Sequence, residues 1–140
     1  MPGRSFGFTL LEAVLVLLLL GLLAAAALPA FFRGPSGLEW RLARDGLLRD
    51  LAAARAFALG RGRTTALLVE EGAYLLDLGA GEPLRRPLPA GARLVFRSGG
   101  GAGRVLFGPD GGSSGAVLEL AAGERRIVVR VEEDGGIVRE

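Results

Sequence analysis

Hydrophobic and polar residues follow three successive patterns along the chain. Residues 8–32 are an apolar run that contains one charged residue, Glu12. In residues 38–59 apolar positions recur every three or four residues, which predicts an amphipathic helix. From Thr64 onward apolar and polar residues alternate, which predicts strands. The pattern therefore predicts an α+β protein, with a long N-terminal helix packed on a small antiparallel β-sheet domain.

The apolar run is long enough to cross a membrane. Its length of about 37 Å as a helix exceeds the hydrocarbon core of about 30 Å. We expect Pro29 to kink this helix, because proline lacks the backbone N–H that a helix uses. Gly34 and Pro35 form a stronger interruption. Ser36 with Glu39 three residues later matches a capping box, which predicts a fresh helix start near Gly37.

The amphipathic helix is predicted to pack one face on a sheet. Its apolar stripe consists of Trp40, Ala43, Leu47, Leu51, Ala54 and Ala58. Gly60 and Gly62 are expected to end it. Strands are predicted over residues 64–70, 74–78, 93–97, 104–107, 116–120, 126–132 and 137–139, with glycine-rich turns between them. Antiparallel hairpins on one long helix follow from this order.

The amino-acid composition excludes several kinds of catalytic and metal-binding site. The 140 residues contain no Cys and no His, which excludes thiol nucleophiles, Cys or His metal sites and a Ser-His-Asp triad. Every basic residue is Arg, and the net charge of +2 does not by itself imply a nucleic-acid partner. No acid pair stands out as catalytic, so we expect no enzyme activity and no cofactor. The acids Asp110, Glu132, Glu133 and Asp134 lack the spacing of an EF-hand and are interpreted as solvated turns.

The N-terminal residues allow two processing routes. In one, residues 1–30 are an ordinary secretory signal with Arg4 as its basic region, and the alanine cluster before Pro29 is the cleavage site. The mature domain would then be soluble. In the other, cleavage falls between Gly7 and Phe8, and the apolar segment stays with the mature protein. Only the second route gives Glu12 a purpose.

The sequence GFTLLE at residues 7–12, followed by the apolar run, resembles the class III signal of type IV pilins and of type II secretion pseudopilins. The resemblance implies cleavage after Gly7 by prepilin peptidase and N-methylation of Phe8. It also implies assembly through the retained helix, in which Glu12 pairs with the terminal amine of a neighbouring subunit. Pro29 matches the helix-kinking proline of these proteins.

Later segments resemble the GspH/FimT class of minor pseudopilins and minor pilins. They are LAAARAFALGRG at 51–62, FGPDG at 107–111, RIVV at 126–129 and GIV at 136–138. The resemblance implies a pilin-like fold and a structural role in a type II secretion pseudopilus or a type IV pilus. It implies a leader at residues 1–7, a transmembrane and assembly helix at 8–32, its amphipathic continuation at 33–62 and a β domain at 63–140.

The same resemblance implies a location and a set of partners. The protein is expected to cross the inner membrane once, with its C-terminal domain in the periplasm, and to be assembled in a pseudopilus or pilus. The expected partners are other pilins or pseudopilins through their N-terminal helices, prepilin peptidase, the inner-membrane assembly platform and membrane lipid.

DNA binding is the alternative function. Period two places Arg93 with Arg97, and Arg126 with Arg130, on single faces of their strands, so neighbouring strands would form a basic stripe. FimT-like minor pilins take up DNA through arginines near the C-terminal end. Nearby glutamates such as Glu119 could neutralise the stripe, and aromatic residues for base stacking are absent from it. A solvated arginine face is the favoured interpretation.

Overall fold

The computed structural model describes the backbone of residues 9–31, 36–99 and 101–140, and the side chains of the same residues except 26–31. The chain divides into two compact units, Met1–Arg33 and Gly34–Glu140. The predicted cleavage site at Gly7 and Phe8 lies outside the described residues. The interruption predicted at Gly34 and Pro35 and the side chain of Pro29 lie outside them as well.

The first helix, α1, spans Leu10–Phe31. Thr9 caps it: the Thr9 Oγ1 accepts the Glu12 backbone N–H at 3.3 Å, and the Thr9 carbonyl accepts the Ala13 N–H at 3.1 Å. Most side chains of residues 10–25 of α1 are exposed, including Leu10 at 86 % and Leu17 at 68 %. In the part of the chain that the structure describes, no helix combines the length and the apolar character needed to cross a membrane.

The second helix, α2, spans Gly37–Arg61 and begins with the predicted capping box. The Ser36 Oγ accepts the Glu39 N–H at 3.2 Å, and the Glu39 carboxylate accepts the Ser36 N–H at 2.8 Å. These two bonds satisfy backbone donors that a helix start otherwise leaves unpaired. At the other end Gly62 adopts a left-handed conformation, with φ of 62°, which stops the helix. The predicted start near Gly37 is confirmed.

The buried face of α2 is the predicted apolar stripe. Its buried members are Trp40, Leu47, Leu51, Ala54 and Ala58, while Ala43 is half-buried. Four of the five are alanine or leucine residues with no exposed surface, and the two alanines let the helix lie close to the strands. The Thr65 hydroxyl donates to the Ala54 carbonyl at 2.9 Å and ties the first strand to the helix.

Eight strands follow α2. They are β1 (Thr65–Glu70), β2 (Ala73–Asp77), β3 (Leu84–Pro87), β4 (Ala92–Gly99), β5 (Arg104–Phe107), β6 (Ala116–Ala122), β7 (Arg125–Val131) and β8 (Ile137–Arg139). Seven of them match the predicted strands within a few residues. Strand β3 was not predicted, because its sequence LRRP has no apolar alternation and all four residues are exposed.

The strands form two four-stranded antiparallel sheets rather than one. The first has the order β3-β2-β1-β5 and the second has the order β4-β6-β7-β8. A register shift between Phe96 and Ser98 bends β4. Their inner faces join the stripe of α2 in one core, in which Leu67, Phe107 and Leu118 have no exposed surface. This core fixes which side chains of each sheet point to solvent.

Candidate functional site

Glu12 lies in the first turn of α1. Its backbone N–H is bonded to Thr9, and its side chain is exposed in this chain. The positive end of the helix dipole favours a carboxylate at this position by about 0.3–1 kcal/mol. The side chain is therefore held at the start of an apolar helix and is free to accept hydrogen bonds from another molecule.

The four arginines considered for DNA binding lie on the outer face of the second sheet, but not on neighbouring strands. Strand β6 separates β4 from β7. Arg93 and Arg126 both lie opposite Ala121, so they share one row across the sheet. Arg97 forms an ion pair with Glu119 of the intervening strand.

Arg130, the fourth of these residues, forms an ion pair with Glu140 near the end of the chain. Two of the four guanidinium groups are thus neutralised by carboxylates. A continuous basic stripe requires that β4 and β7 be adjacent, and β6 lies between them. What remains is an isolated row of two arginines with Ala121 between them, which gives no specific support for DNA binding.

Sequence reasoning missed a partly buried polar cluster between α2 and the first sheet. The Tyr74 hydroxyl donates to Asp50 Oδ2 at 2.8 Å, and Arg86 Nε donates to the same oxygen at 3.1 Å. Only 4 % of Tyr74 is exposed, so this residue of the predicted strand 74–78 belongs to the core and not to the strand's surface. The available signal was Asp50, which lies three residues after Leu47 and so borders the buried stripe of α2.

The cluster forms one side of a groove of about 710 Å³ between α2 and the segment from Arg86 to Pro89. A carboxylate that is largely shielded from water needs hydrogen-bond partners, and here the phenol and the guanidinium supply them. Because one Asp50 oxygen already accepts both bonds, the carboxylate serves to hold the exposed strand β3 against the helix.

The pKa of Tyr74 is raised above its ordinary value of about 10, first because burial disfavours the phenolate and then because the hydroxyl donates to Asp50. A folded-state pKa above the unfolded value gives stability that is present below about pH 10 and is lost as the pH rises further. The free energy of unfolding is therefore expected to fall from about pH 10 upward. Tyr74 is the single Tyr, and the chain has no Cys and no Lys, so little else titrates there.

Replacing Tyr74 by Phe tests this account. Tyr74→Phe should lower the free energy of unfolding at neutral pH by about 1–3 kcal/mol, because a hydrogen bond to a charged group is lost. It should also remove most of the decline above pH 10. Denaturant unfolding of both proteins across this pH range is the measurement. An equally steep alkaline decline in Tyr74→Phe would contradict the assignment.

Two loops beyond the second sheet are tied together by α2. Arg55 Nε donates to the Gly111 carbonyl at 3.1 Å, and Arg55 Nη2 donates to the Asp134 carbonyl at 2.9 Å. The loops approach so closely that a Cβ at Gly135 would lie 2.0 Å from the Gly111 oxygen. Gly135 also has φ of 81°, so only glycine fits this position. Within the described residues, no group of three or more acids is arranged to hold a metal ion.

These features define a pilin-like class of protein, in which an amphipathic helix packs on antiparallel sheets and follows an apolar helix in the sequence. Two solved structures share the fold. The type IV minor pilin FimU of Pseudomonas aeruginosa has a TM-score of 0.58 and 16 % identity, covering 71 % of this chain and 91 % of that chain. The minor pseudopilin EpsH of the Vibrio cholerae type 2 secretion system has a TM-score of 0.57 and 13 % identity, covering 71 % and 94 %.

The family model described as type II transport protein GspH matches residues 43–135. Since this match covers more than half of the 140 residues, the chain belongs to the GspH family. No curated protein matches the sequence. The family and the shared fold define the chain as a structural minor subunit of the pseudopilin and pilin type, a component of a pseudopilus or pilus.

Proposed function

We propose that this subunit enters its filament through residues 8–32, which pack among the equivalent helices of neighbouring subunits. The observation that carries the proposal is the exposure of apolar side chains on all sides of residues 10–25 of α1, such as Leu15 at 58 % and Leu18 at 65 %. A helix that is apolar on every side needs an apolar surrounding, which a bilayer or a bundle of helices supplies. Before assembly that surrounding is the inner membrane.

The proposed role of Glu12 is to set the register of this packing. It is the one charged residue of the apolar run, and a lone carboxylate in such surroundings costs about 2.5–3.5 kcal/mol. A terminal amine on a neighbouring subunit would offset that cost, because two opposite charges that meet in an apolar setting relieve each other's desolvation. The position of Glu12 in the first turn of α1 supports this, since its exposed carboxylate lies near the start of the helix and four residues from the proposed new terminus.

The proposal includes the processing that creates this amine. Prepilin peptidase would cleave between Gly7 and Phe8, Phe8 would be N-methylated, and residues 34–140 would lie in the periplasm. Pro29 would kink the anchoring helix, and the inner-membrane platform would lift the subunit out of the lipid. These steps rest on the resemblance of residues 7–12 to the pilin signal.

Fractionation of cells that make the tagged full-length chain tests the proposal. The chain is expected in the inner membrane and, when the assembly machinery is present, in the sheared filament fraction. Without the machinery it should be found in the membrane alone. Recovery of the chain from the soluble periplasm in both cells would contradict the proposed anchoring and assembly.

A further inference from the structure

The groove between α2 and the segment from Arg86 to Pro89 is elongated. Half-buried residues of α2 line it at intervals of three or four positions, so they share one face of the helix. They are Ala43, Gly46, Asp50 and Ala53. From Glu39 to Ala53 the groove follows α2 for about 21 Å, a length of about four helical turns.

Gly46 lies on this face in the interior of α2, where glycine is unfavourable. Alanine is the better residue in a helix interior, because glycine loses more backbone freedom on folding and packs no side chain. Among the described residues, the nearest atom to a Cβ added at Gly46 would be the Tyr74 hydroxyl oxygen at 3.9 Å, an ordinary van der Waals contact. Packing within the globular unit therefore does not require glycine at this position. What glycine provides is room for a second backbone to approach the helix closely.

The side of the groove opposite α2 is rigid. Pro87 and Pro89 each have a fixed φ, and Leu88 between them donates its N–H to the Gly72 carbonyl at 2.9 Å. The Pro89 carbonyl accepts the Ala92 N–H, also at 2.9 Å. The groove is therefore preformed, and a partner that enters it does not have to order this segment first.

The groove offers one prominent apolar contact and one hydrogen-bond acceptor. Leu42 lines it and is 58 % exposed. Asp50 Oδ2 accepts the bonds from Tyr74 and Arg86, whereas Asp50 Oδ1 has no donor among the residues that the structure describes. The matching surface is a helix face of small and apolar residues that carries one donor side chain.

We propose that this groove binds a helix of a different pilin-type subunit of the filament. The inference rests on the proposed function, in which the chain is a filament subunit, and it names the surface that meets a neighbour. A different subunit is the occupant because a minor subunit has other pilins or pseudopilins beside it. A helix fits because the groove follows α2 over about four turns, and its small residues let two helix axes approach to about 8 Å. The groove begins at Glu39, close in sequence to the apolar run that is proposed to pack in the filament.

Site-specific photocrosslinking in filaments tests the inference. The full-length chain with Leu42→benzoylphenylalanine is made in cells that contain the assembly machinery, and the filament fraction is irradiated. Mass spectrometry of the linked peptides is expected to identify a helical segment of a different pilin-type subunit. The control is Val95→benzoylphenylalanine, because Val95 is an exposed residue of the second sheet outside the groove, and it should not link to that segment.

Filling the groove shows whether its shape causes the contact. Gly46→Leu should reduce the linkage per chain in the filament fraction at least about fivefold, because the new side chain occupies the space of the partner. Gly60→Leu is the matched control on the same helix: it lies outside this groove, an added Cβ there has no neighbour within 4 Å, and linkage should be unchanged. Both substitutions should maintain or raise the melting temperature, since leucine favours a helix more than glycine does. If Gly46→Leu lowers it instead, Ala53→Leu is the filling variant that decides.

Each remaining outcome has a distinct meaning. Linkage that persists at full strength in the filling variants would overturn the inference. Linkage to another copy of this chain, to a strand or loop surface, or to a protein outside the pilin class would overturn it as well. Filaments that contain the chain but give no linkage from position 42 would overturn it and leave the proposed function intact. Absence of the unmodified chain from filaments would instead refute the proposed function itself.

Discussion

Glu12→Ala is expected to leave membrane insertion intact and to reduce incorporation into filaments more than about tenfold. Removing a carboxylate makes the apolar run more favourable in lipid, so the unassembled subunit gains stability in the membrane. In the proposed filament packing the same change would leave the terminal amine of the neighbour buried without a counter-charge. Breaking a buried pair in this way costs about 3–5 kcal/mol. Since about 1.4 kcal/mol already corresponds to a tenfold change in an equilibrium, the expected loss of incorporation exceeds tenfold.

The measurement compares the chain in membrane and sheared filament fractions for both proteins. Glu12→Asp is the matched variant, because it keeps the charge and shortens the side chain, and it should retain more assembly than Glu12→Ala. Glu39→Ala is the control outside the apolar run, since the Glu39 carboxylate serves the local cap of α2. Normal filament incorporation of Glu12→Ala would remove the proposed role of this residue.

Leu47→Ala is expected to destabilise the globular unit by about 2–5 kcal/mol. Leu47 has no exposed surface and lies on the stripe of α2 that meets the core, so its truncation leaves a cavity. For a unit of this size the loss corresponds to a fall of at least about 8 °C in the melting temperature. Thermal unfolding followed by circular dichroism of the β signal measures it.

The control on the same helix is Leu42→Ala. Leu42 is 58 % exposed, so its truncation creates no cavity and should change the free energy of unfolding by about 0.5 kcal/mol or less. Equal effects of the two substitutions would mean that α2 does not present the Leu47 face to the sheets. The difference between the two leucines therefore tests the orientation of the helix.

Local signals predicted most of the fold. The capping box at Ser36 and Glu39 placed the start of α2, and the three- and four-residue spacing of Trp40, Leu47 and Leu51 identified its buried face. Period-two alternation found seven strands. These predictions succeeded because caps and periodicity depend on residues that are close together in the sequence.

Features that depend on distant residues were not predicted. Strand β3 is held at the sheet edge by its pairing with β2 and by the ion pair of Arg86 with Asp50, which are 36 residues apart. The division into two sheets, with β6 between β4 and β7, is likewise a result of packing. For this reason the arginine stripe could be proposed from strand periodicity, yet only the strand order could decide whether its members meet.

The part of the candidate site at residues 7–12 is predicted mainly from the sequence. The motif at residues 7–12 predicts the mature N-terminus and the partner of Glu12, while the structure adds the cap that Thr9 provides at the start of α1. The globular unit adds the polar cluster around Asp50. Periodicity could not have located this cluster, because it brings together residues from α2, β2 and β3.

Mass spectrometry of the N-terminal peptide of the protein purified from cell membranes tests the central claim most directly. Retention of the apolar helix predicts a mature chain that begins at Phe8 and carries an N-methyl group. A chain that begins after the alanine cluster at residues 24–27 would contradict it, because the segment proposed to build the filament would then have been removed.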